Sequence, residues 1–245
     1  MKAWQYGWVV GVAMLFCYNS LAQGGYLKQR IKAQKQSYKV LGRVIDSPLK
    51  TIDNKSVTLS SYQGKLLVID FWFTTCGPCF QQFPYMDTIK QMFADEPDLL
   101  FVNICSISAF DDWKKTVEQK NIQGIHLFDD NTEVINRRII GSPRPSGEGT
   151  VHGQLYLSGY PGFAFIDANG KVLGATNITP QTRLLFAYYI ECMLKGKNIQ
   201  QALEQFSAEV NRATLTDEFL AFLKKRLGAT PDTAYQLVAP YKKLL

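Results

Sequence analysis

The sequence predicts an α/β domain with helices on both sides of a central mixed sheet, an N-terminal β-hairpin and a helical C-terminal extension. Three observations carry that expectation. Leu66-Leu67-Val68-Ile69-Asp70-Phe71-Trp72 is a nearly continuous apolar run, which suits a strand covered on both faces. Cys76-Gly77-Pro78-Cys79 follows it closely and leads into a helical pattern. Strand-like and helical stretches then alternate as far as about residue 195, and only amphipathic helical patterns remain after residue 198.

The elements follow in order. Val44-Ile45 and Val57-Thr58-Leu59 read as the two strands of a hairpin around the turn residues Asp53-Asn54-Lys55. Gly64-Lys65 leads into the central strand. A helix should start at or near Cys76, with a kink at Pro84, because proline removes one helical hydrogen bond. Residues 99–107 read as a strand. Asp111-Asp112-Trp113 opens a helix, its acids placed favourably at the positive end of the dipole. Ile125-His126-Leu127-Phe128 is a short strand, residues 132–139 a helix, and residues 141–149 a Gly/Pro/Ser-rich loop. Ala168-Asn169-Gly170 is a hairpin turn between Phe163-Ala164-Phe165-Ile166-Asp167 and Lys171-Val172-Leu173. Pro180 sits just inside a helix expected to reach Lys195.

Three amphipathic helices complete the chain. Ile199, Leu203, Phe206 and Val210 share one face, and Leu215, Phe219 and Phe222 another. Gly228 can end the second helix, and Thr230-Pro231 can cap and open the third. These helices either pack on the preceding domain or present a surface to a partner or a second copy.

The N-terminus reads as a secretory signal. Lys2 is a minimal positive region, residues 8–17 are apolar, and Ser20-Leu21-Ala22 supplies small residues for cleavage near Ala22. The apolar run is shorter than the roughly 20 residues that span a bilayer. An uncleaved N-terminal tether is the alternative. A lipoprotein anchor at Cys17 is disfavoured, since the bulky Phe16 precedes it. The expected organisation is a signal at 1–22, a basic leader at 23–39, the α/β domain at 40–197 and a helical extension at 198–245.

The net charge of +6 is spread along the chain, apart from Lys28, Arg30, Lys32, Lys35 and Lys39. That stretch is a solvated leader or a weak attraction for acidic lipid. No pattern resembles a nucleic-acid-binding module.

A zinc site needs about four nitrogen or sulfur ligands. Cys17, Cys105 and Cys192 are scattered, and no second CxxC completes such a set. Cys76 and Cys79 therefore read as a dithiol that cycles with its disulfide. Cys105 and Cys192 read as small buried hydrophobes, with a disulfide between them as the alternative. His126 reads as structural, and His152 as a candidate for the cleft border.

The residues around the pair resemble the thioredoxin-like family. Trp72 stands four positions before Cys76, Gly77-Pro78 fills the pair, and Pro84 stands five after Cys79. Asp70 stands six before Cys76 and matches the family's buried acid, and Tyr160-Pro161 matches its cis-proline loop. The leading hairpin, the signal and an extra strand–helix unit resemble the TlpA/ResA branch of extracytoplasmic thiol–disulfide oxidoreductases. The likeness covers residues 40–195 and leaves out the last helices. Asp70 departs from that branch, where an amide is common.

The resemblance implies that Cys76 attacks a disulfide from a helix N-terminus and that the more buried Cys79 resolves the mixed disulfide. Asp70, its pKa raised by burial, takes or delivers the Cys79 proton through a water. A cis Pro161 turns the chain beside the sulfurs and offers the Tyr160 backbone to an extended substrate. Trp72, Gly77, Pro78 and Tyr160 complete the expected substrate-binding set.

The resemblance also implies that no cofactor is needed beyond the Cys76–Cys79 disulfide. The partners are protein thiols and disulfides and an upstream thiol donor, soluble or membrane-bound. Neither Gly77 nor Pro78 can push the Cys76 pKa to about 3.5, which would add roughly 100 mV of oxidising character. A reductant is therefore expected. Two rivals remain. A redox-gated binding module would show poor turnover. A peroxidase of the peroxiredoxin type would carry Pro and Thr where Ile69 and Phe73 stand.

Overall fold

The computed structural model describes residues 40–130, 151, 155, 157 and 159–242. The expectations for the signal, the basic leader, the 132–139 helix, the 141–149 loop and His152 lie outside them.

Among the described residues seven strands form one sheet: β1 (Leu49–Lys50), β2 (Ser56–Val57), β3 (Leu66–Trp72), β4 (Leu99–Ser106), β5 (Ile125–Asp129), β6 (Gly162–Ile166) and β7 (Val172–Thr176). Their spatial order is β2-β1-β5-β4-β3-β6-β7. β3, β4 and β5 run parallel, and β6, β7 and the β1–β2 hairpin join antiparallel. The helices among the described residues are α1 (Gly77–Met92), α2 (Phe110–Lys120), α3 (Leu184–Leu194), α4 (Ile199–Asn211), α5 (Asp217–Leu227) and α6 (Pro231–Val238). This is the mixed, helix-flanked sheet that the sequence predicts.

β3 lies inside the sheet and every one of its residues is buried, which is why its sequence reads as an apolar run. Alternation along the strand divides its side chains. Leu66 and Val68 join a core with Met86, Ile89 and Phe93 of α1 and much of α3. Leu67, Ile69 and Phe71 join a second core on the other face, with Val102 and Ile104 of β4. Asp70 shares the period of Leu66 and Val68, so it lies on the α1 side.

The first strand of the hairpin forms later in the chain than predicted, and the second starts one residue earlier. Its strands are Leu49–Lys50 and Ser56–Val57, while Val44 makes only an isolated bridge to Lys171. The turn does contain Asp53, Asn54 and Lys55, and Asn54 takes the left-handed conformation. Leu59 belongs to a short 3-10 helix, not to the strand. α1 runs unbroken through Pro84. The helix predicted from Pro180 is divided: Pro180–Thr182 is a 3-10 turn, and α3 starts at Leu184 after Arg183 adopts a φ of 30°.

α4, α5 and α6 follow the predicted pattern. Asn198 and Thr230 form capping boxes, Thr216 caps α5, and Gly228 closes α5 in the left-handed conformation. Their apolar faces extend the core that contains Leu66, Val68 and α3. Leu203 is only partly buried at its edge, and Leu215 packs there from just before α5. No helix among the described residues is long and apolar enough to cross a membrane.

Candidate active site

Cys76 is the N-cap of α1, and Gly77, Pro78 and Cys79 form the first turn. Pro78 fits there because the first helical N–H groups have no partner within the helix. Cys76 and Cys79 are joined in a disulfide, with their Cα atoms 5.3 Å apart. The Cys79 N–H donates to Cys76 Sγ at 3.2 Å. A thiolate at Cys76 therefore meets an N–H and the positive end of the helix dipole. The expected difference in burial is absent from this oxidised form: Cys76 is 2% exposed and Cys79 1%. Their helix positions distinguish them, one at the cap and one a turn inside. Gly77 and Pro78 are exposed above the pair.

Asp70 is 2% exposed, and neither carboxylate oxygen has a hydrogen-bond partner among the described residues. Burial pushes its pKa up to about 8, against a weaker downward pull from Lys90. At neutral pH this carboxyl is mostly protonated.

The Tyr160–Pro161 peptide is cis. The Tyr160 ring meets Phe73 edge to face, with centroids 5.1 Å apart. The Asn177 amide donates to Gly159 O at 2.7 Å and to Pro161 O at 2.8 Å, bracketing the turn from both sides. Sequence reasoning did not single out Asn177, which has no local signature.

Trp72 stands in the core beside Cys76 and Cys79. It is 0% exposed and packs edge-on against Phe80 and Phe83, so it supports the pair from within and offers no surface.

Cys105 and Cys192 are buried free thiols and do not form a disulfide. Burial pushes Cys105 up to about 12 and Cys192 to about 11, so both stay protonated and inert at neutral pH. His126 lies within 2.7 Å of the Ile122 carbonyl, and burial lowers its pKa, consistent with a structural role. Among the described residues no three His, Cys, Asp or Glu side chains cluster to hold a metal.

The sequence model of the Redoxin family matches residues 33–182. The chain belongs to the Redoxin family. This Redoxin-family chain is 34% identical over 61 residues to the thioredoxin-like protein YneN of Bacillus subtilis, a match covering 25% of this chain and 36% of that one. It is 30% identical over 60 residues to the thiol-disulfide oxidoreductase ResA of Geobacillus thermodenitrificans, covering 24% and 34%. An uncharacterized Haemophilus influenzae protein is 31% identical over 109 residues, covering 40% of this chain and 66% of its own length. The chain thus spans less than two thirds of each of these relatives.

Among solved structures, the thioredoxin domain of a Bacteroides vulgatus thiol-disulfide oxidoreductase aligns with a TM-score of 0.44 at 20% identity, covering 60% of this chain and 97% of that one. A Bacteroides thetaiotaomicron protein described as a putative protein disulfide isomerase aligns at 0.46 and 20%, covering 63% and 90%. The family, the thioredoxin-like fold and the CxxC-spaced pair agree with the resemblance in the sequence. The redox group of the Redoxin-family chain is the Cys76–Cys79 disulfide.

Proposed function

We propose that the chain is an extracytoplasmic thiol–disulfide oxidoreductase that reduces protein disulfides through a Cys76–Cys79 cycle. The observation that carries the reading is the Cys76–Cys79 disulfide capping α1. The buried Asp70 in the adjoining strand supports it.

In the reduced protein the Cys76 thiolate attacks one sulfur of a substrate disulfide. That bond breaks, one substrate thiolate leaves, and a mixed disulfide forms on Cys76. Cys79 then loses its proton and attacks Cys76 Sγ, which releases the second substrate thiol and closes the Cys76–Cys79 bond. The substrate gains two electrons and the protein loses two. An upstream thiol donor returns them.

Asp70 is the group that takes the Cys79 proton in one direction and returns it in the other. A pKa of about 8 lets it exchange a proton near neutrality. Pro161 and Tyr160 border the cleft that receives the substrate chain. The signal-like pattern at residues 1–22 supports the extracytoplasmic compartment, where a substrate disulfide can persist.

A redox titration in defined thiol buffers, read by Trp fluorescence and peptide-resolved alkylation, tests the reading. A two-electron midpoint below about −240 mV is expected for a reductase. A midpoint above about −180 mV would make the protein an oxidase or isomerase. No transition at Cys76 and Cys79 would leave a binding module.

A further inference from the structure

Two features of the β4–α2 turn have no part in the steps above. The first is Ile107, which has a φ of 58°. A β-branched side chain avoids this left-handed region, where its Cβ crowds the backbone. Such outliers persist only where surrounding contacts hold them, and they concentrate at functional sites.

The second feature is what the turn delivers. Ser108 is buried, and its hydroxyl receives the Thr74 backbone N–H at 3.0 Å. The Thr74 hydroxyl lies 3.1 Å from the same oxygen. The Ser108 hydroxyl also donates to Ser106 O at 3.4 Å. The buried Cys105 thiol donates to Ser108 Oγ at 3.5 Å. A serine hydroxyl has one donor and two acceptor positions, and the Thr74 N–H, the Thr74 hydroxyl and the Cys105 thiol compete for the two acceptor positions.

We propose that Ser108 is a positioning residue for the redox pair: the Ile107 turn aims its hydroxyl at Thr74, and that clamp holds Cys76 in register with Cys79. The inference rests on the Cys76–Cys79 cycle proposed above. Thr74 stands two residues before Cys76, inside a turn closed by the Cys76 N–H donating to Phe73 O at 3.0 Å. Cys76 and Cys79 are joined by the first turn of α1, where Cys76 O receives the Cys79 and Phe80 N–H groups at 3.1 and 3.2 Å. The Cys76 carbonyl is thus fixed by α1, and Ser108 restrains the 73–76 turn that leads into it from a site 34 residues away. A restricted Cys76 presents a higher effective concentration to Cys79, and a thiol pair held close favours the disulfide.

The test is the midpoint of the Cys76–Cys79 couple in the full chain and in three variants, with thermal unfolding measured beside it. Ser108→Ala is expected to weaken ring closure by roughly threefold to tenfold, which raises the midpoint by about 15 to 30 mV. Thr74→Val keeps the backbone bond and loses the hydroxyl contact, so it should move the midpoint less, in the same direction. Ser108→Thr keeps the hydroxyl and should restore the parental value. A Ser108→Ala midpoint equal to the parent's overturns the role, even if that variant melts earlier. Should Ser108→Ala fail to fold, Thr74→Val at the parental midpoint overturns it equally. A parent with no transition at all removes the redox reading itself, whereas a normal parent with unmoved variants removes only the part given to Ser108.

Discussion

Asp70 is an acid placed where its charge is least welcome. Burial raises its pKa from 3.8 to about 8, so the folded chain binds a proton there that the unfolded chain releases above about pH 4. The sign follows. Asp70 costs nothing below its unfolded pKa, and the penalty accumulates as pH rises from about 4 toward 8. Between pH 4 and 7 the loss is up to roughly 4 kcal/mol. Asp70→Asn removes the titration. It should stabilise the protein at neutral and alkaline pH, flatten the pH dependence of its unfolding free energy, and slow release from a trapped mixed disulfide. Urea unfolding at pH 5, 7 and 8.5 is the check; a variant that keeps the parental slope would show Asp70 to be solvated. The place of this acid was legible in the sequence, because it lies on an apolar strand at a fixed distance from the pair. Ser108 was not legible: nothing in Ile107-Ser108-Ala109 announces a left-handed turn, and a β-branched residue is a poor candidate for one.

At the scale of elements, the contact between β7 and α4 shows how closely the extension approaches the sheet. A Cβ built on Gly174 would lie 2.4 Å from Ile199 Cβ and 2.5 Å from its Cγ2. Ile199 is the first residue of α4 and is fully buried. Glycine at 174 therefore serves close approach, not turn geometry. Gly174→Ala should cost about 1–3 kcal/mol, through a displaced α4 or a strained β7. Ile199→Gly in the same chain should recover part of that loss, a coupling that a double-mutant cycle by urea unfolding would measure. Additive effects would show that the helix shifts freely. The strand and the helix were both predicted, but their contact was not, since a glycine in a strand has several possible reasons.

At the scale of the whole molecule, Arg226 joins the extension to the redox helix. Its side chain is 1% exposed. It donates to Glu191 Oε2 at 3.0 Å, Asp95 Oδ1 at 2.7 Å and Met92 O at 3.1 Å, and it also pairs with Glu96. Its guanidinium lies 4.2 Å from the centre of the Phe93 ring. One side chain on α5 thus meets α3, the last carbonyl of α1 and the segment after it. Arg226→Ala removes the buried cation from this cluster, while Lys225 still pairs with Asp95 and Glu96 and Lys195 with Glu191. Because Asp95 is largely exposed, the cost falls at the low end of buried-pair losses, about 3 kcal/mol. The loss should persist at high salt, unlike that of a surface pair. A loss under about 1 kcal/mol in urea unfolding would place the network with surface ion pairs. Arg226 continues the stripe of Phe219 and Phe222 at helical spacing, so a signal for its burial existed, but it stands in the basic run Lys224-Lys225-Arg226, which carries no apolar pattern.

The sequence by itself determined the elements and the redox pair. Apolar periodicity, capping residues, turn glycines and the CxxC spacing are local, and each acts through neighbours a few residues away. It also implied the acid in β3 and the cis turn at Pro161, because both stand at set positions in a familiar order. Tertiary structure alone decided where the first hairpin pairs, that Trp72 is sealed inside, that Ser108 holds Thr74, and that Arg226 meets Met92 across 134 residues. A strand edge or a polar side chain has several partners it could satisfy, and only the packed chain brings one of them within hydrogen-bonding distance.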